Sequence, residues 1–302
     1  MGRGAAGALD SLVIYPAHPF GSHTTGRPPV PAPTRMPPSA EPAPAPPLPP
    51  EGRVTTTIDA GVATVRFGHP KGNSMPGALL RDLAEHVRLA GEDPAARVVV
   101  LASEGRGPWC AGASFDELVA ISKAGDRAAG REFFSGFARV IRAMQRCPKF
   151  VVARVHGRVA GGGVGLVAAS DYAIAVEGAS CKLSELAVGI GPFVVGPVIE
   201  RKIGLAAFTA MSVDADWRDA AWCQAQGLYA RVVPDAPALA AAVDALAARL
   251  AASNPEAMAD IKRVVWAGTE GWDALLAERA DVSGRLVLSE FTRRAIAAFK
   301  GA

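Results

Sequence analysis

The sequence has 302 residues, half of them apolar and 20% charged, with a formal net charge of +3. An unstructured chain would be poorer in apolar residues and richer in net charge, and a charge this small is no electrostatic footprint for nucleic acid. No stretch reaches the roughly 18 uninterrupted apolar residues of a membrane span, because the most apolar one, residues 236–252, is broken by Asp244 and Arg249.

Fourteen of the 24 prolines fall in residues 1–50, and residues 30–50 are nearly a Pro/Ala tract. Such a tract samples extended conformations and builds no core. Residues 1–52 are therefore expected to be a disordered Pro/Ala-rich N-terminal extension. It contains no long apolar segment of the secretory type. The four cysteines, at 110, 147, 181 and 223, lack the close spacing of a zinc knuckle or redox dithiol. They read as packed, reduced thiols, which points to a cytoplasmic protein.

In chain order, residues 54–58 and 62–66 alternate apolar and polar around Ala60-Gly61, the pattern of a β-hairpin. Leu79, Leu80, Leu83 and Val87 recur at helical spacing, with Ser74 as a candidate cap. Residues 98–101 form a short apolar strand of the kind covered on both faces. Helical patterns follow over 115–121 and 127–145, then a buried strand over 150–155, a short helix over 161–169 and a strand over 172–176. From Pro237 onward only helical patterns remain: 239–250, 255–267, 272–288 and 291–299. The fold class is α/β. An α/β body is expected over 53–245 and a helical region over 246–302.

The run Gly161-Gly162-Gly163-Val164-Gly165 places glycines between a strand and a helix. There, free backbone N–H groups and the helix dipole favour negative charge. A dinucleotide fingerprint fits poorly, because the helix is short for a nucleotide-binding crossover and the glycines begin several residues after the strand. Close helix–sheet packing and an oxyanion site both remain. A second strand-to-helix junction, Cys110-Ala111-Gly112-Ala113-Ser114, would supply the second donor of an oxyanion hole. Glu185 stands in an otherwise apolar segment, either paired with an arginine such as Arg201 or raised in pKa for proton transfer. His156 reads as a packed strand-end residue. Arg139, Arg142, Arg146 and Lys149 read as a solvated face. No nucleophile elbow, phosphate loop or metal-binding motif occurs, so no metal is expected.

These segments, in this order, resemble the enoyl-CoA hydratase/isomerase (crotonase) family. Residues 109–118 (WCAGASFDEL) are similar to its oxyanion loop and following helix, and 149–157 (KFVVARVHG) with Gly161–Gly163 to its second loop. Residues 170–175 (SDYAIA), 182–189 (KLSELAVG) and the tail from Phe291 through Thr292-Arg293-Arg294 to Phe299 continue the likeness, which covers residues 53–302. The resemblance implies a crotonase-like spiral of ββα units with a C-terminal helical trimerisation region that also covers the CoA. It implies a homotrimer or dimer of trimers, with no nucleic-acid or membrane partner. The implied substrate is an acyl-CoA thioester, and no cofactor is implied beyond the CoA it carries. The backbone N–H groups of Ala113 and Gly162 would hold the thioester oxygen of an enolate, with Glu185 as general acid/base. Lys71, Ala111, Gly112, Phe193, Phe291, Arg293 and Arg294 would contact substrate or CoA.

One departure narrows the chemistry. Hydratases of the family carry two glutamates, and this chain has Gly165 where the first would stand. Ser114 likewise replaces an aspartate, with Asp116 and Glu117 nearby as conceivable substitutes. A single carboxylate suits shuttling one proton between Cα and Cγ of an enoyl-CoA, so double-bond isomerisation is favoured. Hydration of a 2-enoyl-CoA and decarboxylation or C–C cleavage of an acyl-CoA are the alternatives, as is a non-catalytic acyl-CoA-binding subunit.

Overall fold

A computed structural model describes residues 47–301. Of the extension expected over 1–52, residues 1–46 lie outside the described residues. β1 (Arg53–Asp59) and β2 (Val62–Gly68) form the expected antiparallel hairpin. Its two turn residues, Ala60 and Gly61, have φ of 45° and 81°, the positive values that a tight two-residue hairpin requires.

From β2 onward the chain winds as a spiral. α1 (Gly77–Glu92) leads to β3 (Val98–Ser103), and α2 (Phe115–Ala124) and α3 (Arg127–Arg146) lead to β4 (Val151–Val155). Then β5 (Val159–Ala160) and α4 (Gly162–Ala169) precede β6 (Tyr172–Val176) and β7 (Ser180–Lys182). After a 3-10 turn (Leu186–Val188) come α5 (Gly196–Asp214), β8 (Arg218–Asp219), α6 (Ala220–Ala225) and β9 (Arg231–Val233). Longer strands enter a six-stranded sheet, β1-β2-β3-β4-β6-β9, parallel except for the hairpin. The short ones form a second sheet, β5-β7-β8. The spiral thus deals one strand to each sheet per turn in β4–β5 and β6–β7. The two- and three-residue strands and α5, broken at Gly204 (φ 80°), were not legible as patterns, because too few residues or an interrupting glycine leave no period to detect.

Local chemistry fixes the helix ends. Ser114 caps α2 through its Oγ and the Glu117 N–H (3.4 Å), and Asp126 caps α3 by accepting from Ala128 and Ala129. The expected Ser74 cap is replaced. Its Oγ lies 3.0 Å from His69 Nδ1, and the first N–H of α1, on Gly77, donates instead to Glu117 Oε2 at 2.7 Å. A side chain from α2 therefore satisfies α1, tying the two helices beside the 109–114 loop.

The expected all-helical end is present as α7 (Ala236–Ala251), α8 (Pro255–Val265), α9 (Trp272–Leu286) and α10 (Glu290–Gly301). The division expected at residue 245 falls inside α7. α9 crosses α3 at Gly130 and Gly284, where a Cβ on Gly284 would stand 2.6 Å from Arg131 N. α8 is fastened to the sheet by a buried ion pair, Lys262 Nζ to Asp171 Oδ2 at 2.8 Å. Among the described residues no single helix is long and apolar enough to cross a membrane.

Candidate active site

The two glycine-bearing loops meet along the edge of the second sheet. Cys110 and Val159 form a parallel bridge, and Ala160 N–H donates to Cys110 O at 2.9 Å. Gly112 (φ 89°) lies against the other loop: a Cβ there would stand 3.0 Å from Ala160 O and 3.7 Å from Gly161 Cα. On the far side, Met75 bridges Ala113, donating to Gly112 O (2.8 Å) and accepting from Ser114 N–H (3.1 Å). That bridge holds Ala113 from both neighbours and leaves its own N–H undonated among the described residues.

Gly162 opens α4, and its N–H has no carbonyl one turn earlier to bond, as for every first helical residue. Gly161 (φ 51°) precedes it and donates to Lys182 O at 2.8 Å, which locks the loop to β7. All eight residues of α4 are buried. The glycines are steric necessities: a Cβ on Gly162 would run into the Phe137 ring, and one on Gly163 would stand 2.8 Å from Cys110 Sγ. Close packing requires the glycines, and two undonated N–H groups stand on adjacent loops.

Glu185 completes the site. A Cβ on Gly161 would lie 3.3 Å from Glu185 Oε1, so the carboxyl group stands beside the residue that precedes the Gly162 donor. The residue is half-buried as a whole, but its Oε2 is buried without a hydrogen-bond partner. Burial pushes the carboxyl pKa up to about 7, against a smaller downward pull from the Glu185 and Ser184 backbone. Of the two alternatives for Glu185, the arginine pair is not formed. Arg201 donates to Val265 O (2.6 Å) and Ala267 O (3.0 Å) and stacks over Trp266.

The remaining expected residues separate into groups. Ala111, exposed, donates from its N–H to Gly72 O at 3.0 Å, beside Lys71, which pairs with Asp116. Phe291 packs on Gly189, four residues from Glu185, and the neighbouring Thr292 Oγ1 donates to Gly189 O at 3.3 Å. Arg293 lines a cavity of about 440 Å³ between α2 and α10 with Lys123, while Arg294 pairs with Glu290 of its own helix. Phe193 lines a cavity of about 340 Å³ with Pro197 and Phe208 that does not include Glu185. Neither substitute acid is at hand: Glu117 caps α1 and Asp116 holds Lys71. His156 lies at the end of β4 with its pKa lowered, chiefly by burial, as a packed residue. Among the described residues no group of three or more His, Cys, Asp or Glu is placed to hold a metal ion.

Three residues with a part in this arrangement escaped the sequence reading: Phe137, Met75 and Val195. Val195 occupies the place beside Gly165, where a Cβ would stand 2.5 Å from Val195 Cγ1. Nothing in a linear pattern marks such a contact between residues thirty positions apart.

Known proteins are similar to this chain in sequence and in fold. A Mycobacterium tuberculosis (7aS)-7a-methyl-1,5-dioxo-2,3,5,6,7,7a-hexahydro-1H-indene-carboxyl-CoA hydrolase is 35% identical over 53% of this chain and 65% of its own length. The human mitochondrial Delta(3,5)-Delta(2,4)-dienoyl-CoA isomerase is 29% identical over 68% of this chain and 66% of its own. The chain thus spans just under two thirds of these relatives. An enoyl-CoA hydratase from Mycobacterium avium superposes with a TM-score of 0.72 at 29% identity, over 82% of this chain and 96% of that one, which establishes the crotonase-like fold. The model of the enoyl-CoA hydratase/isomerase family matches residues 57–293, and the chain belongs to that family.

Proposed function

We propose that the chain moves a single proton on the acyl group of a CoA thioester, with double-bond isomerisation as its reaction. The N–H groups of Ala113 and Gly162 donate to the thioester oxygen, and stabilising the charge that develops there makes a Cα proton acidic. Preorganised donors of this kind supply roughly 3–4 kcal/mol each of transition-state stabilisation in other systems. Glu185 as carboxylate removes the Cα proton, the electron pair spreads onto the thioester oxygen as a dienolate, and Glu185 returns the proton to Cγ. No atom is gained or lost. A carboxyl with a pKa of about 7 suits both halves, since it gives and takes a proton at near-equal cost. We assign Lys71 and Arg293 to the CoA phosphates, and a homotrimer or dimer of trimers as the assembly, to be read by analytical ultracentrifugation.

The observation that carries this reading is the single acid, with the space beside Gly165 filled by Val195. Hydration requires water to be activated and a proton delivered, and one carboxyl must then serve both. The dienoyl-CoA isomerase among the relatives supports the proton-shuttling reading. Hydrolysis is the second reading, supported by the CoA hydrolase at 35% identity, with Glu185 activating water instead.

Purified protein supplied with a 3-enoyl-CoA should form the 2-enoyl-CoA without incorporating oxygen from labelled water. Efficient 3-hydroxyacyl-CoA formation from a 2-enoyl-CoA would refute isomerisation, and release of a hydrolysed product would favour the second reading. Absence of α-proton exchange in heavy water with every acyl-CoA tried, unchanged by Glu185→Gln, would leave a non-catalytic binding subunit.

A further inference from the structure

One face of the six-stranded sheet carries two arginines on strands flanking β3. Arg66 in β2 faces Ala102 in β3. One step beyond the paired Leu101 and Ala153, Ala102 faces Arg154 in β4. Side chains in register on neighbouring strands share a face, and His156, the residue after β4, lies near enough to Arg154 and Arg66 that both charges lower its pKa. Two strand spacings, roughly 10 Å, separate the Arg66 and Arg154 backbones, and only the methyl group of Ala102 lies between them.

α7 covers this sheet face but leaves that corner. It begins after β9 and ends with Ala251 against Gly61, at the start of β2, where a Cβ on Gly61 would stand 3.3 Å from Ala251 Cβ. Arg66, Arg154 and His156 are consequently half-buried. Arg66 Nη1 reaches only Ser103 O, at 3.5 Å, and Arg154 has no hydrogen bond or ion pair among the described residues. His156 Nε2 is buried without a partner, and the Gly107 backbone acts to raise the ring's pKa against the larger lowering by burial.

Among the described residues no carboxylate pairs with Arg66 or Arg154. Glu104, the residue after β3, leans across Gly68 to Arg53, at 3.4 Å. Asp244 on α7 acts on Arg154 at a distance and is exposed. Half-burying the Arg154 guanidinium without an acceptor, in the field of Arg66, is unfavourable. The Arg154 guanidinium feels this, its pKa lowered by burial first and by Arg66 second.

We propose that Arg66, Arg154 and His156 form a binding site for one inorganic hydrogen phosphate ion at the C-terminal ends of β2 and β4. The two guanidinium groups donate to its oxygens across the gap over Ala102. With the ring proton on Nδ1, Nε2 is an acceptor, and the P–OH of hydrogen phosphate donates to it. Sulfate, fully ionised at neutral pH, has no proton to give there. The site therefore prefers phosphate to sulfate.

Thermal unfolding and isothermal titration calorimetry with inorganic phosphate, sulfate and chloride at matched ionic strength test the site. Phosphate should raise the Tm of the native protein saturably, more than sulfate does, and chloride should not. Arg154→Gln and Arg66→Gln should each weaken phosphate binding roughly tenfold or more. In chloride, Arg154→Gln should unfold no earlier than the native protein, because it relieves one of two facing charges. His156→Phe should abolish the preference for phosphate over sulfate. If Arg154→Gln fails to fold, Arg154→Lys keeps the charge and Arg66→Gln alone carries the comparison. Adenosine 5′-monophosphate, whose phosphate is mostly fully ionised at neutral pH and lacks the P–OH, should bind more weakly than inorganic phosphate. Equal phosphate responses in the native protein and the Arg66→Gln/Arg154→Gln double variant would overturn the proposal, as would an equal response to chloride.

Discussion

Val195 fills the position that any side chain on Gly165 would need, since a Cβ there would stand 2.5 Å from Val195 Cγ1 and 2.6 Å from Val195 Cβ. Val195 is 3% exposed and cannot swing into solvent. The lack of a second acid is thus built into the packing of α4 against the segment that enters α5. Restoring a carboxylate by Gly165→Glu should overpack this contact, at a cost of about 1–3 kcal/mol or more, without creating hydration. Gly165→Glu with Val195→Gly should recover much of that stability and raise the hydration rate with a 2-enoyl-CoA above that of the native protein. Urea unfolding and product analysis of both variants provide the check. A single variant as stable as the native protein would show that Val195 is not the obstacle.

Glu185 links activity and stability to pH with opposite signs. Its carboxyl sits at about 7 in the folded protein against an ordinary 4.5, because burial disfavours the charged form. As the base, it must be ionised, so kcat/KM should rise with pH and level off above about 7. Glu185→Gln should lower it by ~10²–10⁴-fold. For stability, the folded state holds the proton more tightly than the unfolded chain. No penalty exists below the unfolded pKa; it grows as pH rises between the two values and is complete above the folded one. Glu185→Gln should therefore be more stable than the native protein at pH 8, by at most about 3 kcal/mol. At pH 5 the gain should shrink to under about 1 kcal/mol. Urea titrations at the two pH values measure the difference, and a gain independent of pH would contradict the assignment.

What the sequence made legible follows from the range of the interactions involved. The hairpin, α1, α3, β6 and the helical tail repeat an apolar pattern over several turns or pleats, and each appears where the pattern placed it. The glycines at 161–163 were visible as a cluster, and their need for space was inferable. Their partners were not: Phe137 reaches Gly162 from α3, and Cys110 reaches Gly163 from the preceding turn of the spiral. Glu117 looked like a spare acid in sequence, yet it is spent on the N-terminus of α1, forty residues earlier in the chain. Contacts between distant elements decided each of these, and no local period encodes them.

The buried pair of Lys262 and Asp171 should show how the helical tail is held. Their side chains are 3% and 7% exposed, and Asp171 also accepts from Val151 N–H (2.7 Å) and Trp266 Nε1 (3.1 Å). Lys262 additionally donates to Lys149 O at 2.7 Å. Removing one partner strands the other charge in the interior, which costs about 3–5 kcal/mol. Lys262→Ala should lose stability on this scale, and Lys262→Ala with Asp171→Asn should lose less than the sum of the separate changes. Chemical denaturation of the cycle reads the coupling, and strict additivity would mean that the pair contributes no more than its separate hydrogen bonds.

Thr292 ties α10 to the segment that carries Glu185. It is fully buried, and its Oγ1 donates to Gly189 O at 3.3 Å and accepts from Ser289 Oγ at 3.0 Å, while Phe291 beside it covers Gly189. Gly189 has φ of 76° and closes the turn that begins at Glu185, with Ile190 N–H returning to Glu185 O at 3.0 Å. The tail helix therefore holds the turn from outside, and loosening it should release the carboxyl group. Thr292→Val keeps the shape and removes the hydroxyl, so the expected cost is about 0.5–1.5 kcal/mol. That change should be local. Hydrogen exchange should quicken in residues 186–190 and 290–297, with β3 and β4 unaffected. Water reaching the loosened carboxyl should bring the Glu185 pKa down from about 7, shifting the rising limb of kcat/KM to lower pH. An unshifted limb with faster exchange in both segments would show that α10 holds the turn without setting the burial of Glu185.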